Sequence, residues 1–343
     1  MMSQWRDQTE QLLAGLETCD PMYRPTNFWA PGVRQLSAAL QSQGLESFKC
    51  CPGASTWFYS VYGNGFSNAT ITTTFETAKS VNPKAREAWV TSALNGALEA
   101  RRDFDAARLA WNQDRWPFDL EGHGESLVGR PPQRYRMTGT AEVGWGRPYL
   151  NYLLCLAALS RHVEAEPTSF LEIGGGFGTL GEIVMQRNSA ARYVNLDLPP
   201  LLTVASYYLV ELFGQDRVML PGDAPEHGPI TVPSSACLPN WRLPDLASQF
   251  DVFVNSYSFQ EMEPDIVDHY IQAVSDLDVR YALSVNSANG KPKKVEGKEG
   301  GVLDPVTSAR IIDMFQRRGY RLLGTYRDPL VVSAAEIAVL ERS

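Results

Sequence analysis

Two hydrophobic periods divide this chain, and the change from one to the other falls near residue 165. Beyond it, short apolar runs of strand length alternate with longer stretches in which apolar residues recur every three or four positions. The strand-like runs cover 169–173, 191–196, 217–220, 250–255 and 279–286, with two more at 320–325 and 336–341. Helical spacing covers 178–187, 199–213, 264–276 and 305–318. Continuous apolar runs signal strands buried on both faces, and their alternation with helices signals βαβ units. The expected fold is α/β, a doubly wound sheet of seven strands over residues 166–343, with the last two strands suited to a hairpin.

Residues 1–165 read as a mainly helical region, a cap over a substrate or a surface for oligomerisation. Asn82-Pro83 suits a helix start, and Trp89, Val90, Ala93, Leu94, Ala97 and Leu98 form an apolar stripe at helical spacing. A helix from Gly144 to Leu159 joins this region to the sheet. Seven of the eight tryptophans (Trp5, Trp29, Trp57, Trp89, Trp111, Trp116, Trp145) lie here. Indoles serve as packing residues or as platforms for a ring-shaped substrate, and packing is the commoner use. Arg130, Arg134 and Arg136 stand close together beside prolines and suit either an anion clamp or a solvated loop.

Composition narrows the class. A formal net charge of −8 with no basic stripe argues against nucleic acid as a partner. No apolar run is long enough to span a bilayer, and Met1 to Asp20 lacks a signal-peptide core, so cytoplasmic residence without a membrane partner is expected. Five cysteines, including adjacent Cys50 and Cys51, have neither metal nor redox spacing.

The candidate chemistry starts in Phe170-Leu171-Glu172-Ile173-Gly174-Gly175-Gly176-Phe177-Gly178. Glycines between a strand and a helix let the backbone approach a ligand closely, and the helix start offers free amides to it. A phosphate-cradling P-loop requires Gly-Lys-Ser/Thr, whereas Thr179 and Leu180 follow Gly178. The dinucleotide pattern from Gly174 requires glycine at 179 and has no need of an acid at 172. Acid-x-G-x-G-x-G remains. A second strand ends in Asp197, placed to accept ribose hydroxyls, and Leu198-Pro199-Pro200 opens the next helix. Asp223-Ala224 follows a third apolar run, and Asn255-Ser256 ends a fourth.

This pattern resembles motif I and its successors in the class I S-adenosylmethionine (SAM)-dependent methyltransferases. The resemblance implies SAM as cofactor. Glu172 and the loop backbone at Gly174, Gly175, Gly176 and Gly178 would hold its amino-acid end. Asp197 and Leu198 would take the ribose, Asp223 and Ala224 the adenine, with Asn255 and Ser256 beneath the cofactor. Over about residues 135–343, with Asn-Leu-Asp-Leu-Pro and Ser-Phe-Gln-Glu-Met, the chain is similar to bacterial sugar O-methyltransferases found with polysaccharide and natural-product gene sets. Plant-type O-methyltransferases carry a histidine base after the fourth strand; here Gln260 and Glu261 stand at that place.

A carboxylate suits the deprotonation of a hydroxyl when burial raises its pKa. Glu261 is the expected base, with Gln260 orienting the hydroxyl; a helix cap or an ion pair is the competing role for Glu261. His123, in a cap loop, and His227, after the adenine loop, are the alternative bases, while His162 and His269 read as surface residues. Of the acids at 261, 263 and 265, two flank Pro264 at a helix start, where they suit the dipole, and no metal is expected. Residues 287–301 carry Lys291, Lys293, Lys294 and Lys298 and read as a solvated loop or a lid.

The expected function is O-methylation of a small-molecule acceptor that contains a sugar, with a homodimer compatible with the sequence. Methylation of a non-sugar acceptor at oxygen or nitrogen, an NAD-dependent oxidoreductase, and a SAM-binding protein without catalysis remain as alternatives.

Overall fold

The computed structural model describes residues 2–62, 77, 80–84, 96–111, 115–139, 142–327 and 335–343. The helical stripe expected at Trp89, Val90, Ala93 and Leu94 lies outside them. In the first region α1 spans Met2–Thr18, α2 Ala30–Gln43, α3 Ala54–Trp57 and α4 Ala97–Ala110, and α5 (Arg147–Ser160) leads to the sheet. The strands are β1 Ser169–Ile173, β2 Arg192–Asp197, β3 Val218–Met219, β4 Ser235–Pro239, β5 Val252–Ser256, β6 Tyr281–Ser287, β7 Tyr320–Arg327 and β8 Ala335–Arg342. Between them run α6 (Thr179–Arg187), α7 (Leu201–Phe213), α8 (Pro264–Asp276) and α9 (Ser308–Gln316).

The strands form one sheet in the order β3-β4-β2-β1-β5-β6-β8-β7. Pairing is parallel from β3 through β6, and β8 lies antiparallel between β6 and β7. This is the doubly wound α/β sheet expected, with one correction. Among the described residues it has eight strands, not seven, because Ser235–Pro239 inserts beside β2 and moves the short run at 218–219 to the sheet edge.

Alternation along each strand divides the core between the two faces. Phe170, Tyr193, Val252, Val254, Leu283 and Val339 point to one side, under α5, α6 and α7. Leu171, Val194, Leu238, Phe253, Ala282 and Leu340 point to the other, under α8 and α9. Among the described residues, the first region shares its core with the sheet. Trp5, Leu36, Phe48 and Phe104 belong to the same apolar cluster as Phe170 and Leu202, and Trp5 meets Tyr207 of α7 edge to face at 5.9 Å. Trp5, Trp111, Trp116 and Trp145 are packing residues. No helix among the described residues is long and apolar enough to cross a membrane.

Candidate active site

Parallel strands deliver their carboxyl ends to one edge, and a doubly wound sheet leaves a crevice where strand order reverses. Here the reversal lies between β1 and β5. A cavity of 340 Å³ opens there, walled by the ends of β1, β2, β4 and β5 and by Trp29, Trp57 and Phe58 of the first region.

The glycine loop forms its floor. Gly174 and Gly176 hold φ of 72° and 58°, the left-handed region that side chains disfavour. A Cβ on Gly175 would stand 2.7 Å from Asn195 Oδ1, Glu172 Oε2 and Tyr193 OH, so the loop lies too tightly on the sheet for any side chain there. Above Gly176 the same atom would meet only Phe58 Cβ at 3.9 Å, which leaves this backbone open to the cavity. Gly178 begins α6 at φ 92°, and Leu209 of α7 lies 3.3 Å from where its Cβ would be.

Asp197 ends β2 in the cavity wall. Its Oδ2 accepts from Gly176 N–H at 2.7 Å and its Oδ1 from Leu198 N–H at 2.6 Å. Burial pushes the carboxyl up to about 7 against these two bonds, and the charge of Glu261 adds to the rise. Each oxygen keeps a free lone pair, an arrangement suited to two neighbouring hydroxyls. Leu198 also lines the wall.

The inserted strand changes the next assignment. Asn240 follows β4, lines the cavity and is 5% exposed. Its Nδ2 donates to Tyr23 C=O at 2.9 Å and to Tyr270 OH at 2.7 Å, which fixes the amide's orientation and leaves Oδ1 buried without a partner. Asp223 is exposed and accepts from Leu220 N–H at 2.8 Å; neither it nor Ala224 reaches the cavity, because the edge strand before them is one strand too far out. The glycine cradle, the acid with free lone pairs and the unpartnered amide oxygen fit an adenosine.

Glu172 and Asn255 lie beneath the cavity rather than in its wall. Glu172 Oε1 accepts from Tyr152 OH at 2.7 Å and Oε2 from Tyr193 OH at 2.6 Å, and burial raises its carboxyl to about 7. Asn255 Nδ2 donates to Ile173 C=O at 3.0 Å, and its Oδ1 accepts from Phe259 N–H at 3.1 Å. Ser256 is in the wall.

Glu261 lines the cavity and is 9% exposed. Its Oε2 accepts from Trp29 Nε1–H at 2.8 Å, and its Oε1 pairs with Lys291 Nζ at 2.9 Å. Burial raises its pKa above the ordinary glutamate value, and Lys291 and Trp29 partly offset the rise. Gln260 is also in the wall, but its Oε1 accepts from Ser287 N–H at 2.6 Å, which commits it to the end of β6, where a loop begins. That loop packs on the first region: Lys294 Nζ donates to Asn27 Oδ1 at 3.3 Å and Arg34 pairs with Glu299 at 2.7 Å.

None of the histidines reaches the cavity. His123 stacks on Phe118 at 5.4 Å and bonds to Asp119 C=O at 2.9 Å, and His227 projects into solvent beside Glu226. The candidate bases at His123 and His227 are therefore corrected to surface roles. The arginine segment is not a clamp on this cavity either, since Arg134 donates to the carbonyls of Glu125 and Glu142. Among the described residues, no group of three or more His, Cys, Asp or Glu side chains is arranged to hold a metal. Asn151, Tyr152, Asn240 and Tyr257 also line the cavity, though no sequence motif marks them. For Asn151 the available signal was an amide in the apolar run Leu150 to Leu159.

No protein-family model and no curated protein matches this chain. Solved structures similar to it include the pyocyanin biosynthetic protein PhzM, at 15% identity over 57% of this chain and 58% of that one, TM-score 0.36. The mitomycin 7-O-methyltransferase MmcR aligns at 15% identity over 96% of this chain and 75% of that one, TM-score 0.38. The magnesium protoporphyrin IX methyltransferase of Synechocystis PCC 6803, with bound SAM, aligns at 14% identity over 51% of this chain and 69% of that one, TM-score 0.36. The chain thus spans little more than half the length of the first of these. At such scores the activities of those proteins do not transfer to this chain, and the chemistry rests on the cavity.

Proposed function

We propose that the protein transfers a methyl group from SAM to a hydroxyl of a sugar or glycosylated small molecule. The observation that carries this reading is a buried carboxylate, Glu261, in the same cavity as the glycine loop, Asp197 and an indole pair. Gly174 to Gly176 would hold the nucleoside of the cofactor, Asp197 its ribose hydroxyls and Asn240 Oδ1 its adenine amine. When bound, the cofactor supplies an electrophilic methyl group on a sulfonium. The chain aligns the acceptor oxygen for in-line attack, excludes water and removes the hydroxyl proton.

Glu261 takes that proton. Trp29 and Lys291 each engage one of its oxygens, fixing the carboxylate's orientation while leaving lone pairs for the acceptor. Trp29 and Trp57 stand 5.3 Å apart at 40°, and Trp57 packs flat on Gly32, where a Cβ would approach its ring to 2.8 Å. Two indoles beside a carboxylate suit a ring that is apolar on its faces and hydroxylated at its rim.

The test is methyl incorporation from labelled SAM into glycosylated acceptors and their aglycones. Glycosides are expected to be methylated and the free aglycones not. Glu261→Gln is expected to lower kcat by about 100-fold or more while S-adenosylhomocysteine affinity is unchanged. Lys291→Met removes a cation that favours the charged form, so the acid limb of kcat/KM moves to higher pH. Wild-type turnover in Glu261→Gln excludes this base.

A further inference from the structure

Two polar side chains of the cavity wall are left without an occupant by the nucleoside and the acceptor. Asn151 sits in the middle of α5 among Leu150, Leu153 and Leu154, is 8% exposed, and its Oδ1 is buried without a hydrogen-bond partner. Tyr257, just past β5, has a buried hydroxyl that is also unpartnered. Its backbone is held at φ 64°, with its N–H donating to Val285 C=O at 2.7 Å. A buried polar group without a hydrogen-bond partner is costly, and so is a left-handed backbone at a non-glycine residue. Strain and unmet polar atoms together on one cavity wall point to a ligand that satisfies them.

The order of the strand ends says which part of the ligand arrives there. Across the parallel sheet the wall runs from Asn240 after β4, to Asp197 on β2, to Gly174 after β1, to Tyr257 after β5. Neighbouring strands lie about 4.8 Å apart, so Tyr257 is roughly 10 Å from the ribose acid, on the side away from the adenine position. A ligand with its ribose on Asp197 and its base toward Asn240 extends its remaining end toward Tyr257, where α5 closes the wall with Asn151 and Tyr152. In an adenosyl amino acid that end carries an ammonium and a carboxylate. It needs acceptors and donors together, and an amide with a phenol offers both. Glu172 is poorly placed for this task, since both of its oxygens receive phenol protons and it is absent from the wall.

We propose that Asn151 and Tyr257 bind the amino-acid end of the cofactor, and that the motif acid Glu172 is a positioning residue that holds Tyr152 in the wall. This rests on the cofactor reading given above. The ammonium donates to Asn151 Oδ1, and the carboxylate accepts from the Tyr257 hydroxyl.

The test is calorimetric titration of wild type, Asn151→Leu, Tyr257→Phe and Glu172→Gln with two ligands, S-adenosylhomocysteine and 5′-methylthioadenosine. The second has the same nucleoside and thioether without the amino-acid end. In Asn151→Leu and Tyr257→Phe, S-adenosylhomocysteine affinity is expected to fall by about tenfold while methylthioadenosine affinity stays at the wild-type value. Glu172→Gln still bonds both phenols, and both affinities are expected to remain within about threefold. A selective loss of S-adenosylhomocysteine in Glu172→Gln, or an equal loss of both ligands in Asn151→Leu, overturns the inference. Wild type binding neither ligand refutes the cofactor reading itself, whereas wild type binding both, with no selective loss in Asn151→Leu, refutes only this assignment.

Discussion

Asp197 holds the local fold together and, in the proposed function, also holds the ligand. Its oxygens fix the glycine loop through Gly176 and the start of the next helix through Leu198, while burial holds the carboxyl near 7. Ribose hydroxyls donate to the ionised form. S-adenosylhomocysteine is therefore expected to bind more weakly as pH falls from 8 to 6, through the carboxyl's pKa of about 7. Asp197→Asn should bind weakly and flatten that dependence; a flat profile in the wild type, read by calorimetry, contradicts the role. Asp197 and the glycine loop were legible in the sequence because local chemistry dictates them: a strand end, glycines and an acid at fixed spacing. The partners of Glu172 were not. Tyr152 lies 20 residues before it and Tyr193 21 residues after it, and only the packing of α5 and β2 against β1 brings both phenols to its oxygens.

At the scale of elements, β4 is the strand that the hydrophobic pattern hid. Ser235-Ala236-Cys237-Leu238-Pro239 is short, follows Pro233 and ends in proline, and proline argues against a central strand. Yet Pro239 occupies only the last position, paired in register with Asp197, where the missing N–H costs the ladder least. Missing that strand put the expected adenine contact at Asp223, whereas the cavity wall carries Asn240. The alternating helices and the antiparallel final pair, by contrast, follow from periods long enough to read directly. The two sites make opposite predictions. Asn240→Ala should weaken S-adenosylhomocysteine by about tenfold, and Asp223→Ala should leave it unchanged. The reverse result in the same titrations would return the adenine to the sheet edge.

The whole molecule is joined through a buried charge that the sequence did not announce. Lys49 is 1% exposed, and its Nζ meets Glu125 Oε1 at 2.8 Å and Tyr208 OH at 3.1 Å. Tyr208 OH in turn donates to Glu182 of α6 at 2.6 Å. The ammonium also lies 5.0 Å from the ring of Phe177, the loop residue between Gly176 and Gly178. One lysine thus ties the first region, the connecting loop and the glycine-loop helix together, which fits the shared apolar core. Lys49→Met leaves Glu125 buried without its cation and is expected to destabilise the protein by about 3 kcal/mol, read as a lower urea midpoint. An unchanged midpoint would show that the ion pair does not hold the regions together. Which nucleotide enters the cavity decides the chemistry of the whole molecule. The most direct measurement is calorimetric titration of the purified protein with SAM, S-adenosylhomocysteine and NADH, beside Asp197→Ala. The two adenosyl ligands are expected to bind, NADH is not, and the variant is expected to lose both. Binding of NADH alone would contradict this and make the glycine loop a dinucleotide site.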